Sequence, residues 1–137
     1  MATDELTERI KAGFARANEK LAVAKHVLAA GYPADAVSPA YYAVFHAAEA
    51  VLLVEGDEPR SHEGLKTLFG LRFVKTGRLP AEMASILREL KDERESSDYS
   101  IFPAITAEEG ERAVASAARF IVTLEAFLHA QGFATSD

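Results

Sequence analysis

The sequence predicts an all-α protein, an up-and-down bundle of four to five helices. Three observations predict it. Apolar residues recur at steps of three and four along most of the chain. Glycines, prolines and capping residues stand between those stretches where helices should stop and start. No run alternates apolar and polar residues long enough to make a strand.

The first helix covers residues 4–29. Its apolar positions are Leu6, Ile10, Phe14, Ala17, Leu21, Ala24 and Leu28, a stripe down one face. Thr3 or Asp4 can cap its start, and Gly31 with Tyr32-Pro33 stops it. The second helix holds SPAYYAVFHAAEAVLL, residues 38–53. Between residues 40 and 48 it carries no charge and one strong polar group, His46. A helix apolar on all sides has to be surrounded by protein, so this is the central one. It is too short to span a membrane, and Glu49 and Glu55 bound it. Asp35 and Ser38 are both possible caps, Pro39 fits the first turn, and Gly56-Asp57 ends the helix. Tyr42 and His46, four apart, share a face. They are either core residues with satisfied tips or the lining of a buried polar cleft.

A basic stretch follows. Residues 60–78 hold Arg60, Lys66, Arg72, Lys75 and Arg78 against Glu63 alone, a local +4 in a chain of net charge −6. Ser61 can cap a short helix whose apolar side is Leu65, Leu68, Phe69 and Phe73, with Gly70 weakening it and Gly77 ending it. The cations either balance acids on a neighbour or form a docking surface for an anion, with His62 beside them. The fourth helix starts at Leu79-Pro80 and carries the stripe Met83, Ile86, Leu87, Leu90. Four residues on, the stripe meets Arg94. An arginine on a buried seam needs a partner, and Asp98 can supply one. The segment DERESSDYSIFP then leaves the helix, with Pro103 marking a loop. The fifth helix opens at Thr106, which forms a capping box with Glu109, and carries Val114, Ala117, Ile121, Leu124 and Leu128 to Gly132.

The totals set bounds. A chain of 137 residues is the size of a single domain, here 1–137 with flexible ends at 1–3 and 132–137. Absence of cysteine excludes disulfides and thiolate chemistry. The acidic balance argues against nucleic-acid binding by the whole surface. The start resembles no signal peptide and no segment reads as a membrane span, so the expected setting is cytoplasmic. The four histidines lack metal-ligand spacing, and no phosphate-cradling glycine loop or nucleophile elbow is present, so neither metal nor cofactor is expected. Residue chemistry alone gives a bundle with a polar cleft lined by Tyr42, His46 and Arg94.

Three ordered pieces, SPAYYAVFHAAEAVLL, EPRSHEGLKTLFGLRFVKTGRL and LKDERESSDYSIFPAITAEEGERAV, resemble the HEPN domain family. The likeness is strongest to its small single-domain branch and covers roughly residues 6–128. It implies a helical bundle that commonly dimerises. It also implies a two-component system of the toxin–antitoxin kind, with a minimal nucleotidyltransferase as partner. Many members are metal-independent ribonucleases. In those, an arginine followed after four to six residues by a histidine cuts RNA at the dimer cleft. Arg94 matches that arginine. No histidine follows it, and Tyr99 stands in the first allowed position. A phenol is a poor general base at neutral pH. Pro39 also departs from the pattern, which places an arginine there. Ile101 stands where some members carry a modifiable tyrosine.

The resemblance thus leaves three readings. One is a dimeric module that binds a nucleotidyltransferase, a nucleotide or RNA through Tyr42, His62, Arg60, Lys66 and Asp98. Another is a ribonuclease toxin using Arg94 with Tyr99 or His46. The third is a structural dimer in which Arg94 and Asp98 only fix packing. Whether the protein is an enzyme stays open at this point.

Overall fold

The computed structural model describes the backbone of residues 2–99 and 105–137 and the side chains of residues 4–98 and 105–137. Five α-helices make the bundle: α1 (Ala2–Ala29), α2 (Pro33–Leu52), α3 (His62–Phe69), α4 (Ala81–Tyr99) and α5 (Ala107–Ala130). No strand occurs among the described residues. A 3₁₀ turn, Leu53–Glu55, extends α2, and a π-helical turn, Gly70–Val74, extends α3.

The apolar stripe of the sequence is the buried face of α1. Ile10, Phe14, Ala17 and Ala24 are fully buried, and Leu6 and Leu28 pack at its ends. The α2 helix lies at the centre and packs against α1, α3, α4 and α5. Its many alanines let the neighbours come close. A Cβ on Gly13 of α1 would sit 2.8 Å from the Cβ of Ala50, so only glycine permits this approach. Gly110 of α5 serves the same purpose against Pro33, whose Cβ would lie 2.6 Å away.

Several boundaries differ from the sequence reading. The α2 helix begins at Pro33, with Tyr32 as its N-cap, so neither Asp35 nor Ser38 caps it. Pro33 fits the first turn because it lacks only an N–H that no helix bond would use. Pro39 then lies inside the helix, where its missing N–H leaves the carbonyl of Asp35 without the usual bond. With its 3₁₀ turn the segment Pro33–Glu55 is long and apolar enough to cross a membrane by length and composition, as is Ala107–Ala130. In the bundle most of the first of these is buried. The α4 helix runs on to Tyr99, so most of the segment expected to leave it is helical. Pro103 and Ile101 lie outside the described residues.

One C-terminal residue is packed against the bundle while most of its neighbours are exposed. Thr135 is 3 % exposed. Its hydroxyl meets His129 Nε2 at 2.9 Å and donates to Glu125 at 3.3 Å. Asp137 accepts from Lys11 at 3.1 Å. The Thr106–Glu109 capping box forms as expected, and Ser61 caps α3 by accepting from the N–H of Gly64 at 2.9 Å.

Candidate functional site

One side of α2 carries the chemistry. Tyr41, Tyr42, Phe45, His46 and Glu49 lie along it, and α3 and α4 bring His62 and Arg94 to the same place. His62 is the first residue of α3, so the Ser61 cap that starts the helix also fixes where its ring points. That ring lies over Phe45 with 4.5 Å between centroids and is nearly parallel to Tyr41 at 5.6 Å. Its Nδ1 shares a 2.6 Å hydrogen bond with the Tyr41 hydroxyl.

Arg94 continues the buried stripe of α4, as its spacing requires. Its guanidinium carbon lies 5.4 Å from the Tyr41 ring centroid and 5.6 Å from that of Tyr42. The cation is thus held on the electron-rich faces of two tyrosines. The side chain is 15 % exposed, and its one ion pair among the described residues, Nη1 to Asp98 Oδ2, is long at 3.4 Å. Its Nε is buried and has no hydrogen-bond partner among the described residues. A buried donor left unmade costs about 1–3 kcal/mol, so this nitrogen needs explaining.

The electrostatics follow from this packing. Burial lowers the His62 pKa below the ordinary histidine value, and the nearby Arg94 and Lys91 cations lower it further. The imidazole is therefore neutral at pH 7 and able to accept a proton. Burial pushes the Tyr41 phenol well above its usual range, against the opposing pull of Arg94. Tyr41 stays a neutral phenol. It can accept a bond from His62 Nδ1–H and so leave Nε2 as the basic nitrogen.

The expected site residues divide. Tyr42, His62, Arg94 and Asp98 come together, joined by Tyr41 and Phe45, which sequence reasoning had passed over. His46 is 8 % exposed, and its Nδ1 is 2.9 Å from Glu49 Oε1. Its ring lies 6.3 Å from that of Tyr42, and it lines a groove between α1 and α2. The Tyr99 side chain lies outside the described residues. Lys66 is paired with Glu63 at 3.1 Å, and Arg60 is exposed beside the Ser61 cap. The basic stretch is largely neutralised. Arg72 pairs with Asp57 at 2.9 Å, and Arg78 pairs with Glu55 while lying over Phe73 and Phe127. Three of its five cations, Lys66, Arg72 and Arg78, thus balance acids. No group of residues suited to a metal occurs among those described.

A five-helix bundle that sets an arginine and a histidine on a shared tyrosine pair belongs to a recognisable class of small all-α domains. The HEPN domain model matches residues 10–127, and the chain belongs to the HEPN domain family. Three relatives bear this out. A Methanocaldococcus jannaschii protein named "Putative toxin MJ0605" is 34 % identical over 85 % of this chain and 87 % of its own length. The Pyrococcus horikoshii "UPF0332 protein PH1297" is 34 % identical over 71 % of this chain and 68 % of its own. A UPF0332 protein of Archaeoglobus fulgidus is 35 % identical over 75 % and 78 %.

Proposed function

We propose that this chain is the toxin of a two-component system and cuts RNA without a metal, using Arg94 and His62. The observation that carries the reading is the convergence of these two residues on Tyr41 and Tyr42. His62 of α3, a different helix, would stand in for the histidine missing after Arg94 in the sequence. The relatives' names favour a toxin-like role.

Arg94 would bind the scissile phosphate through its terminal guanidinium nitrogens, of which Nη1 now makes only a long contact to Asp98. His62 Nε2 would take the proton of the adjoining ribose 2′-hydroxyl. The 2′-oxygen then forms a bond to phosphorus, and the bond to the 5′-oxygen breaks. A 2′,3′-cyclic phosphate results, and the 5′-oxygen leaves with a proton from solvent. Tyr41 is a positioning residue that holds the imidazole. The homodimer, the minimal nucleotidyltransferase partner and the cytoplasmic setting belong to the same proposal, on the strength of the family.

The test is cleavage of a single-stranded oligoribonucleotide in EDTA. Wild type should release cyclic-phosphate ends, and His62→Ala and Arg94→Ala should not. Equal cleavage by either variant overturns the assignment. RNA that binds but stays intact overturns the catalytic part and leaves a non-cutting binding module.

A further inference from the structure

Beside this site lies a second cavity, between α1 and α2, of about 390 Å³. We propose that it is a nucleoside subsite, which receives the nucleotide flanking the phosphate held by Arg94. The proposal rests on the RNA reading above and adds to it a second contact region along the strand.

The groove adjoins the Arg94 cluster through one residue, His46. Phe45, which stacks on His62, reaches the His46 ring at 5.5 Å, and Tyr42 reaches it at 6.3 Å. Aromatic surface thus leads from Arg94 and His62 into the groove, whose wall includes His46. Such surface suits successive stacked bases of a single strand. The groove's floor is narrow and apolar, made where Gly13 and Ala50 let the two helices meet, with Ala12 beside them. Its volume lies within the range of small-ligand sites, roughly 300–1,000 Å³.

The polar groups around this floor are the matching kind. Two possible ligand contacts are already used, since Arg9 pairs with Glu58 and Asp57 with Arg72. What remains is the His46–Glu49 pair and Arg16. Glu49 engages His46 Nδ1, which leaves Nε2 as the ring's other polar atom, able to meet a ribose hydroxyl. Arg16, at the rim, is exposed and has no ion pair among the described residues, so it can take the next phosphate. A flat apolar floor, a hydroxyl-binding imidazole and one free cation suit a nucleotide better than a peptide or a lipid.

The experiment is fluorescence anisotropy with a labelled single-stranded ten-nucleotide RNA, in a His62→Ala background that prevents cutting. Ala12→Trp fills the groove from an exposed position, and Arg16→Glu reverses the rim charge. Circular dichroism confirms that each is folded. Each should raise Kd about tenfold, the size of one lost charge-assisted contact. If both bind like the parent while Arg94→Ala loses binding, the groove proposal falls and the Arg94 reading stands. If the parent itself does not bind RNA, both fall together. If the groove variants lose binding and Arg94→Ala keeps it, the subsite is upheld and the Arg94 reading fails.

Discussion

Replacing Arg94 by alanine should leave the fold almost as stable as before while abolishing activity. The magnitudes come from its contacts. Two ring contacts, at 5.4 and 5.6 Å, contribute about 0.5–1 kcal/mol each at a partly exposed site. The 3.4 Å pair with Asp98 adds about 0–0.5 kcal/mol. Against this stands the buried Nε with no partner, whose removal returns about 1–3 kcal/mol. These nearly cancel, and the net change should fall within about 1 kcal/mol of zero. Urea unfolding of wild type and variant at pH 7 measures it, read as a shift in midpoint at constant slope. RNA cleavage, measured on the same preparations, should fall by at least about a hundredfold, the scale expected for losing a preorganised charge on the phosphate. A loss of about 3 kcal/mol or more would refute the reasoning. It would make Arg94 a structural residue whose neighbours depend on it, and lost activity would then follow from lost structure.

Four further outcomes are expected. Tyr41→Phe removes the hydroxyl that holds His62 Nδ1 at 2.6 Å; cleavage should fall about tenfold in kcat with KM unchanged, the mark of a positioning residue. Lys91→Gln removes a cation that lowers the His62 pKa. The base form of His62 is lost as pH falls through its folded pKa, so the acid limb of the rate profile should move to higher pH in this variant. Glu93 has its pKa raised by burial and by the Glu109 and Glu89 carboxylates. Its ionised form costs stability above the folded pKa and nothing below the unfolded one, so Glu93→Gln should raise Tm at pH 7 and lose that advantage in acid. Gly110→Ala would place a Cβ 2.6 Å from that of Pro33 and 3.0 Å from its Cα. Thermal unfolding should show a loss of about 1–3 kcal/mol, the usual cost of overpacking.

The bundle was legible because its signals are local. A stripe such as Ile10, Phe14, Ala17, Leu21 and Ala24 shows its period within a few turns, and all five residues are buried. The capping box at Thr106 and the cap at Ser61 could likewise be read from neighbouring letters. The start of α2 was misplaced because Pro33 was read as part of the stop of α1, with Pro39 in the first turn. Pro33 itself opens the helix, and Gly110 of α5 lets it pack closely there. The continuation of α4 was misread for a similar reason. The run through Ser96, Ser97 and Asp98 has weak helix propensity, but Ser97 donates to the carbonyl of Ala34 at 2.8 Å, a tertiary tie that sequence cannot show.

The site is a harder case, since its parts come from three helices. Arg94 announced itself because it breaks a stripe that Met83, Leu87 and Leu90 establish. His62 gave no such sign. Its partner Tyr41 lies 21 residues away, and no spacing rule links a helix-capping segment to the face of another helix. The physical case for function therefore comes back to the seam position. Leucine or methionine at residue 94 would extend the stripe and leave no polar group to satisfy. Arginine there instead buries an Nε that has no partner among the described residues. A domain of this kind is stable by only about 5–15 kcal/mol, so an unmet donor costing about 1–3 kcal/mol is a sizeable share. Tyr41 and Tyr42 hold the guanidinium through its charge, because a ring face attracts the cation without accepting its N–H hydrogens. In the proposed reaction this arginine would meet the phosphate, and His62 would accept the proton beside it.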